Sequence, residues 1–273
     1  MYQFAEIGWG ISPEIFNLGP LAVRWYSLLF ALGIIISYQI MSKFFANEKK
    51  DLKDLDLLTV YVVIGTVLGA RLGHCLFYHP GYYLSNPLEI IQIWKGGLAS
   101  HGAAVGILLS LYCFIKKKPN FSFLWLIDRL VIVVPLAGCL IRIGNFFNSE
   151  IYGVPSDLPW AVVFERVDSI PRHPAQLYEA IAYLIIFLFL FFYYKKLEGK
   201  TKDGLFLGYF LVLLFGARFF LEFFKDLQAE VESGMTFHIG QWLSVPFVLA
   251  GIYIIYWAKS KKKKNDRLRA QKL

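Results

Sequence analysis

Residues 174–202 read PAQLYEAIAYLIIFLFLFFYYKKLEGKTK, and the fold can be worked out from this stretch. A hydrocarbon core about 30 Å thick takes about 20 apolar residues in helical form. Pro174 to Tyr194 supplies that length, with two polar groups, Gln176 and Glu179, at its start. Four lysines (Lys195, Lys196, Lys200, Lys202) close it. A helix that opens on a carboxylate and ends on lysines has one cytoplasmic end and one functional end. The same design recurs along the chain, which predicts seven spans at roughly 20–42, 57–77, 98–115, 123–147, 174–194, 204–225 and 238–258.

Lysine clusters follow alternate spans, at Lys43–Lys53, Lys116–Lys118, Lys195–Lys202 and Lys259–Lys272, and hold 19 of the 28 Lys and Arg residues. Positive loops stay in the cytoplasm, so the C-terminus is predicted inside and the N-terminus outside. The opposite loops carry only Lys95, Arg166 and Arg172. The expectation is an all-α polytopic bundle of seven transmembrane helices over 1–273. It is one integral membrane domain with a small extracytoplasmic head over about 148–172 and a basic cytoplasmic tail over 259–273.

A composition that is 57% hydrophobic and 18% charged is too apolar for a soluble surface. The net charge of +8 sits in the loops between spans, which argues against a nucleic-acid partner. Cys75, Cys113 and Cys139 all lie in apolar runs and form neither a metal site nor a disulfide framework. The N-terminus shows no positive n-region and no cleavage site, so no removable signal peptide is expected. Gly65, Gly69 and Gly73 recur every four residues, as do Gly102 and Gly106, a spacing that lets helices approach closely. Residues 78–97, with Pro87, Leu88, Ile90, Ile91, Ile93 and Trp94, predict a short interfacial helix, and Trp160–Glu165 has strand-like composition.

Charges inside spans need a reason, because each costs roughly 2.5–3.5 kcal/mol at mid-bilayer on insertion scales. Arg24, Arg71, Arg129, Arg142, Arg218 and Lys225 lie within or at the edges of spans. With the orientation fixed, Arg24, Arg71, Arg142 and Arg218 fall toward the outer ends, as do His101, Gln176 and Glu179. Asp128 and Arg129 fall at the cytoplasmic end as an ordinary interface pair. Arg218 and Glu222, four apart, are expected to pair. Arg142, Asn145 and Asn148 share a helix face. Several guanidinium groups just below the outer headgroups suit a phosphate-bearing ligand, and a phospholipid head is the most abundant one there.

Arg142-Ile-Gly-Asn-Phe-Phe-Asn-Ser-Glu-Ile-Tyr-Gly153 is the densest polar run, and it resembles the signature of bacterial prolipoprotein diacylglyceryl transferases. Arg24-Trp-Tyr26, Gly69-Ala-Arg-Leu-Gly73, Gly96-Gly-Leu-Ala-Ser-His-Gly102, His173-Pro-Ala-Gln-Leu-Tyr-Glu179, Arg218-Phe-Phe-Leu-Glu222 and Gly240-Gln-Trp-Leu-Ser244 match in order. The resemblance covers nearly the whole chain. It departs at Ile141, where the family usually has Gly, at Leu214, where many members have Tyr, and at Ala103, where Gly is common.

The resemblance implies an enzyme of the bacterial inner membrane that acts in lipoprotein biosynthesis. Such enzymes move the diacylglyceryl group of phosphatidylglycerol to the lipobox cysteine of a prolipoprotein signal peptide, forming a thioether and releasing glycerol phosphate. No cofactor or metal is implied. Arg142 and Arg218 are assigned to the phosphodiester, Asn145 to the head or a phosphate oxygen, and Tyr26 to the lipid ester or head. His101 or Glu150 is the base for the thiol proton, with Arg71, Asn148, Gly153 and Glu222 as further binding residues. An anion transporter would need polar groups across the full depth, and only Asp128–Arg129 lies at the inner end. An intramembrane protease would need facing nucleophile and base, and adjacent Ser100-His101 do not face each other.

Overall fold

Lipid offers no hydrogen bonds, so an apolar run must satisfy its backbone within the segment, and these runs fold as helices. The computed structural model describes residues 7–18, 21–93, 96–226 and 236–270. Trp94, Lys95 and Lys272, which entered the predicted interfacial helix, outer loops and tail, lie outside them. Six helices are long and apolar enough to cross a membrane: α1 Trp25–Asn47, α2 Leu52–Phe77, α5 Phe123–Asn148, α6 Ala175–Lys196, α7 Leu205–Leu221 with the turn that continues it, and α8, Ile239–Ala270, through its first 22 residues. The remaining helices are α3 Pro80–Ser85 and α4 Ser100–Lys117. α4 corresponds to the span predicted at 98–115.

Short strands complete the chain. β1 Ile7–Gly8 runs parallel to β4 Val162–Val163, which pairs antiparallel with β5 Pro171–Arg172. β2 Glu14–Leu18 and β3 Leu21–Arg24 form a hairpin. The first span therefore begins at Trp25 and not near residue 20. Leu21–Arg24 is apolar enough to extend a helix, but it pairs across to Glu14–Leu18, with Glu14 opposite Arg24 and ion-paired to it at 3.3 Å. The interfacial helix predicted after Pro87 is also displaced. The α-helical turns come before Asn86, and Pro87–Glu89 forms one 3-10 turn.

The chain divides into two compact units, residues 41–127 and residues 1–40 with 128–273. In the first, α2 and α4 pack along their glycines. A Cβ on Gly69 would meet Gly106 Cα at 2.9 Å, and one on Gly73 would meet Gly102 Cα at 2.7 Å. Ser110 Oγ donates to the Tyr61 carbonyl at 2.8 Å across the same seam. At the far end, Lys118 pairs with Asp54 at 2.6 Å, and Phe45, Phe121 and Trp125 form an aromatic cluster.

In the second unit, α7 and α8 meet at Gly208 and Gly251, where a Cβ on Gly251 would lie 2.8 Å from the Gly208 carbonyl. α1 approaches α5 at Gly33, whose added Cβ would lie 3.3 Å from Ala137 Cα. Asp128 is fully buried and accepts from the Gly204 and Leu207 amides at 2.7 and 2.8 Å. It therefore caps α7 from α5, a contact worth roughly 0.5–2 kcal/mol for ordinary N-caps. Arg129 Nη2 reaches the Gly199 carbonyl at 3.4 Å. The two charges expected to form an interface pair do feel each other, and each also reaches a backbone group.

Gly69→Leu overfills the α2–α4 seam and is expected to cost roughly 1–3 kcal/mol. Val105→Leu on the exposed face of α4 is expected to be neutral. Unfolding of both variants in detergent micelles checks this, and equal stabilities would remove the seam as a stabilising feature.

Candidate active site

Gly144 begins the site, because a residue without Cβ is needed there: an added one would lie 2.9 Å from the Tyr26 ring and 3.1 Å from Tyr26 Cα. α1 can therefore lie against the last turns of α5, with Tyr26 close enough to Arg142 and Glu150 to feel both charges. Along α5, Arg142 Nη1 donates to Asn145 Oδ1 at 3.3 Å, and Asn145 Nδ2 donates to Glu150 Oε2 at 3.2 Å. Asn148 Nδ2 donates to the other Glu150 oxygen at 3.3 Å. Ser149 and Ile151 both adopt positive φ, 56° and 57°, which turns the chain sharply out of α5. For β-branched Ile151 that conformation is strained. Gln176, fully buried on α6, holds the turn by donating to the Glu150 carbonyl at 2.7 Å.

Glu179 on α6 is the charge that joins these elements. Its Oε2 lies 2.8 Å from Arg142 Nε and its Oε1 2.8 Å from Lys225 Nζ. Neither oxygen accepts a well-aligned hydrogen bond from a described residue, so both contacts act as charge pairing. Lys225 also lies 3.3 Å from Glu222 Oε2. Glu179, Lys225 and Glu222 side chains are all under a tenth exposed. The Tyr183 hydroxyl, one turn along α6 from Glu179, is within hydrogen-bonding reach of Arg142 and within electrostatic reach of Arg218.

Arg218 differs from the other cations. The sequence pairs it with Glu222, but α7 ends at Leu221 and tightens into a 3-10 turn over Glu222–Phe224. That turn carries the Glu222 carboxylate to Lys225. Among the described residues, Arg218 has no ion pair. Glu179 and Glu222 thus pair with Arg142 and Lys225, while the half-buried Arg218 is left without an ion-pair partner among the described residues.

Gly153 is a backbone crossing. Its amide donates to the His173 carbonyl at 2.8 Å, it bridges to Lys225, and an added Cβ would lie 2.6 Å from His173 Cβ. Behind it Arg172 is clamped by Asp168 at 2.7 Å and Asp226 at 2.9 Å, and its hydrogen bonds hold the Asp168 carboxyl below the usual carboxylate range. Trp9 lies over the end of α5, with its indole nitrogen donating to the Phe146 carbonyl at 3.1 Å and its ring 4.3 Å from that of Phe146.

Eight of the ten predicted site residues lie in this unit: Tyr26, Arg142, Asn145, Asn148, Glu150, Gly153, Arg218 and Glu222. The other two, His101 and Arg71, belong to the unit of residues 41–127. His101 is exposed at the start of α4, edge-on to Phe77 with centroids 5.2 Å apart. Arg71 is buried and donates to the carbonyls of Glu89, Ile90, Gly96 and Gly97. The predicted set left out Glu179, Lys225 and Tyr183. The spacings Glu179–Tyr183 and Glu222–Lys225 carry that signal, each placing a polar group one helical turn from another.

A free guanidinium and a buried ion-pair network at the ends of membrane-length helices define a multi-pass membrane protein with a charged site. Residues 13–257 match the family model described as prolipoprotein diacylglyceryl transferase. A phosphatidylglycerol–prolipoprotein diacylglyceryl transferase of Tolumonas auensis is 50% identical over 254 residues, covering 93% of this chain and 98% of the relative. Its namesake in Chloroherpeton thalassium is 48% identical, covering 92% and 93%, and that of Bacteroides fragilis is 44% identical, covering 94% and 97%. The chain belongs to the prolipoprotein diacylglyceryl transferase family.

Lys225→Met leaves Glu179 and Glu222 short of a buried cation and is expected to cost about 3–5 kcal/mol of unfolding free energy. Adding Glu222→Gln is expected to recover part of the loss. Unfolding in micelles measures both, and an unchanged Lys225→Met variant would show that the network does not hold the site.

Proposed function

We propose that this chain is a transferase that moves the diacylglyceryl group of phosphatidylglycerol onto a prolipoprotein, the first step of lipoprotein maturation. The observation that carries the reading is Arg218, which has no ion pair among the described residues and lies within electrostatic reach of Tyr183, the residue that also meets Arg142. A phosphodiester brings one negative charge, which can pair with that free guanidinium. The relatives named for the same transfer support it across nearly the full chain.

The chemistry follows from the acceptor. The sulfur of a lipobox cysteine attacks the glycerol carbon next to the phosphate, a C–S bond forms, and the C–O bond breaks with its electron pair going to the phosphate oxygen. Glycerol phosphate leaves, and the thiol proton passes to a base. Charge grows on the phosphate as the bond breaks, so donors fixed beforehand favour the transition state over the ground state. Arg218 takes that charge. Arg142, anchored at Nε by Glu179 and at Nη1 by Asn145, presents its remaining donors to the phosphate. Tyr26 faces the lipid head or ester. Asn148 and Glu222 act through Glu150 and Lys225, and Gly153 keeps the backbone crossing open behind them. Arg71, whose donors are occupied by carbonyls, acts on its loop and not on the phosphate.

His101 is the base in this reading. Imidazole titrates near neutrality, and among the described residues the ring has no hydrogen-bonding partner. Both Glu150 oxygens, by contrast, accept amide hydrogens. α4 is the seventh crossing: its 18 residues extend about 27 Å at 1.5 Å per residue, and its glycines pack along α2. The alternating lysine clusters support a bacterial inner-membrane protein with its N-terminus outside and its C-terminus in the cytoplasm. The short strands then form an extracytoplasmic head.

In vesicles with labelled phosphatidylglycerol and a lipobox peptide, Arg218→Ala is expected to lower thioether formation by about 10²–10³-fold, the scale for one lost oxyanion donor. Its thermal stability should match the parent, because no described ion pair is broken. Near-normal transfer would sink the phosphate assignment. For the base, His101→Gln is expected to lose most thioether formation while Glu150→Gln keeps it; the reverse pattern moves the role to Glu150.

A further inference from the structure

Residues 80–93 follow α2 and carry one charged side chain, Glu89. Their apolar side chains are open: Leu84 is 72% exposed, Leu88 75% and Ile91 69%. α3 packs against the end of α2, whose outer face presents Leu68, Leu72, Leu76 and Phe77 in an exposed stripe. The apolar surface of the arm therefore continues the lipid-facing surface of a membrane-length helix.

The polar side chains of the arm bond back to its own carbonyls one turn earlier. Ser85 Oγ donates to the Gly81 carbonyl at 3.0 Å, Asn86 Nδ2 to the Tyr82 carbonyl at 3.0 Å, and Gln92 Nε2 to the Leu88 carbonyl at 3.4 Å. The Tyr82 hydroxyl hydrogen-bonds Glu89, the one carboxylate. From α2, Arg71 takes the Glu89 and Ile90 carbonyls and, just beyond the arm, those of Gly96 and Gly97. The buried Arg71 thus spends its donors on the carbonyls of this irregular stretch. Irregular backbone at membrane depth persists only where protein groups satisfy its donors and acceptors.

We infer that residues 80–93 lie immersed in the lipid on the hydrocarbon side of the interface, with Leu84, Leu88 and Ile91 against acyl chains, and that Arg71 is the positioning residue that makes this possible. A planar guanidinium reaches several carbonyls at once, which an ammonium cannot do. The inference rests on reading α2 as a membrane crossing, and the controls below separate the two.

A nitroxide is placed at Leu84→Cys, Leu88→Cys or Ile91→Cys in the full chain with its three cysteines replaced by alanine. The protein is reconstituted in phosphatidylglycerol–phosphatidylethanolamine vesicles, and power saturation is read with oxygen and with nickel-EDDA. Leu68→Cys on α2 and Asp157→Cys in the strand-bearing region serve as lipid and water references. The arm positions are expected to match Leu68, accessible to oxygen and protected from nickel-EDDA. If Leu68 reads lipid while the arm reads like Asp157, the immersion is overturned and the crossing stands. If Leu68 itself reads water, both fall. Arg71→Gln is expected to raise nickel-EDDA access at Leu88 several-fold with Leu68 unchanged, and Arg71→Lys to recover little. An unchanged Leu88 signal in Arg71→Gln would remove Arg71 from the role.

Discussion

Everything at the candidate site depends on one buried carboxylate. Glu179 stands between Arg142 of α5 and Lys225 beyond α7, each at 2.8 Å. Without it, two cations would face each other in an apolar surrounding, where a lone charge costs several kcal/mol after relaxation. With it, three chain segments are tied by charge and Arg142 is turned so that its Nη1 reaches Asn145. The orientation of Asn145 in turn positions Glu150, and Gln176, one turn before Glu179 on α6, holds the Glu150 backbone. A single ion triad thus ties the charges of the candidate site to the backbone that shapes it.

That network leaves Arg218 without an ion pair among the described residues, and the proposed phosphodiester site rests on it. A fully neutralised site would hold together as well but would have no affinity for a phosphodiester. A site with several free guanidinium groups would bind the leaving phosphate as tightly as the substrate. In the proposed reaction one free Arg218 together with an anchored Arg142 lies between these limits, and its charge would favour the state in which negative charge on phosphate is greatest.

The membrane-length helices were legible in the sequence because lipid imposes a length and a composition that few other structures share. The α2–α4 seam was legible for a related reason: glycines four apart on an apolar helix leave backbone exposed to a neighbour. The hairpin before Trp25 was not, since Leu21–Arg24 is continuous in hydropathy with α1 and reads as the start of the same helix. Glu222 was misassigned to Arg218 because the spacing presumes an unbroken helix, and the 3-10 turn after Leu221 rotates the carboxylate toward Lys225. Tyr183 is an aromatic residue within an apolar run, and only the fold reveals that its hydroxyl meets Arg142. The family motifs located most of the site, while the partners that hold it in place came from the geometry.

The Asp128 cap at the opposite end of α5 has a mechanical consequence. With α5 joined to the start of α7 there, the two helices cannot slide past each other at that level. Arg142 lies fourteen residues further on, about 21 Å at the helical rise, with Pro135 inside the same helix between them. A proline removes one backbone hydrogen bond and softens a helix against bending. Leverage about that level is therefore angular: a tilt of about 3° would carry the guanidinium about 1 Å at that radius. Small bends in the lower half of the helix become ångström-scale adjustments at the reacting end.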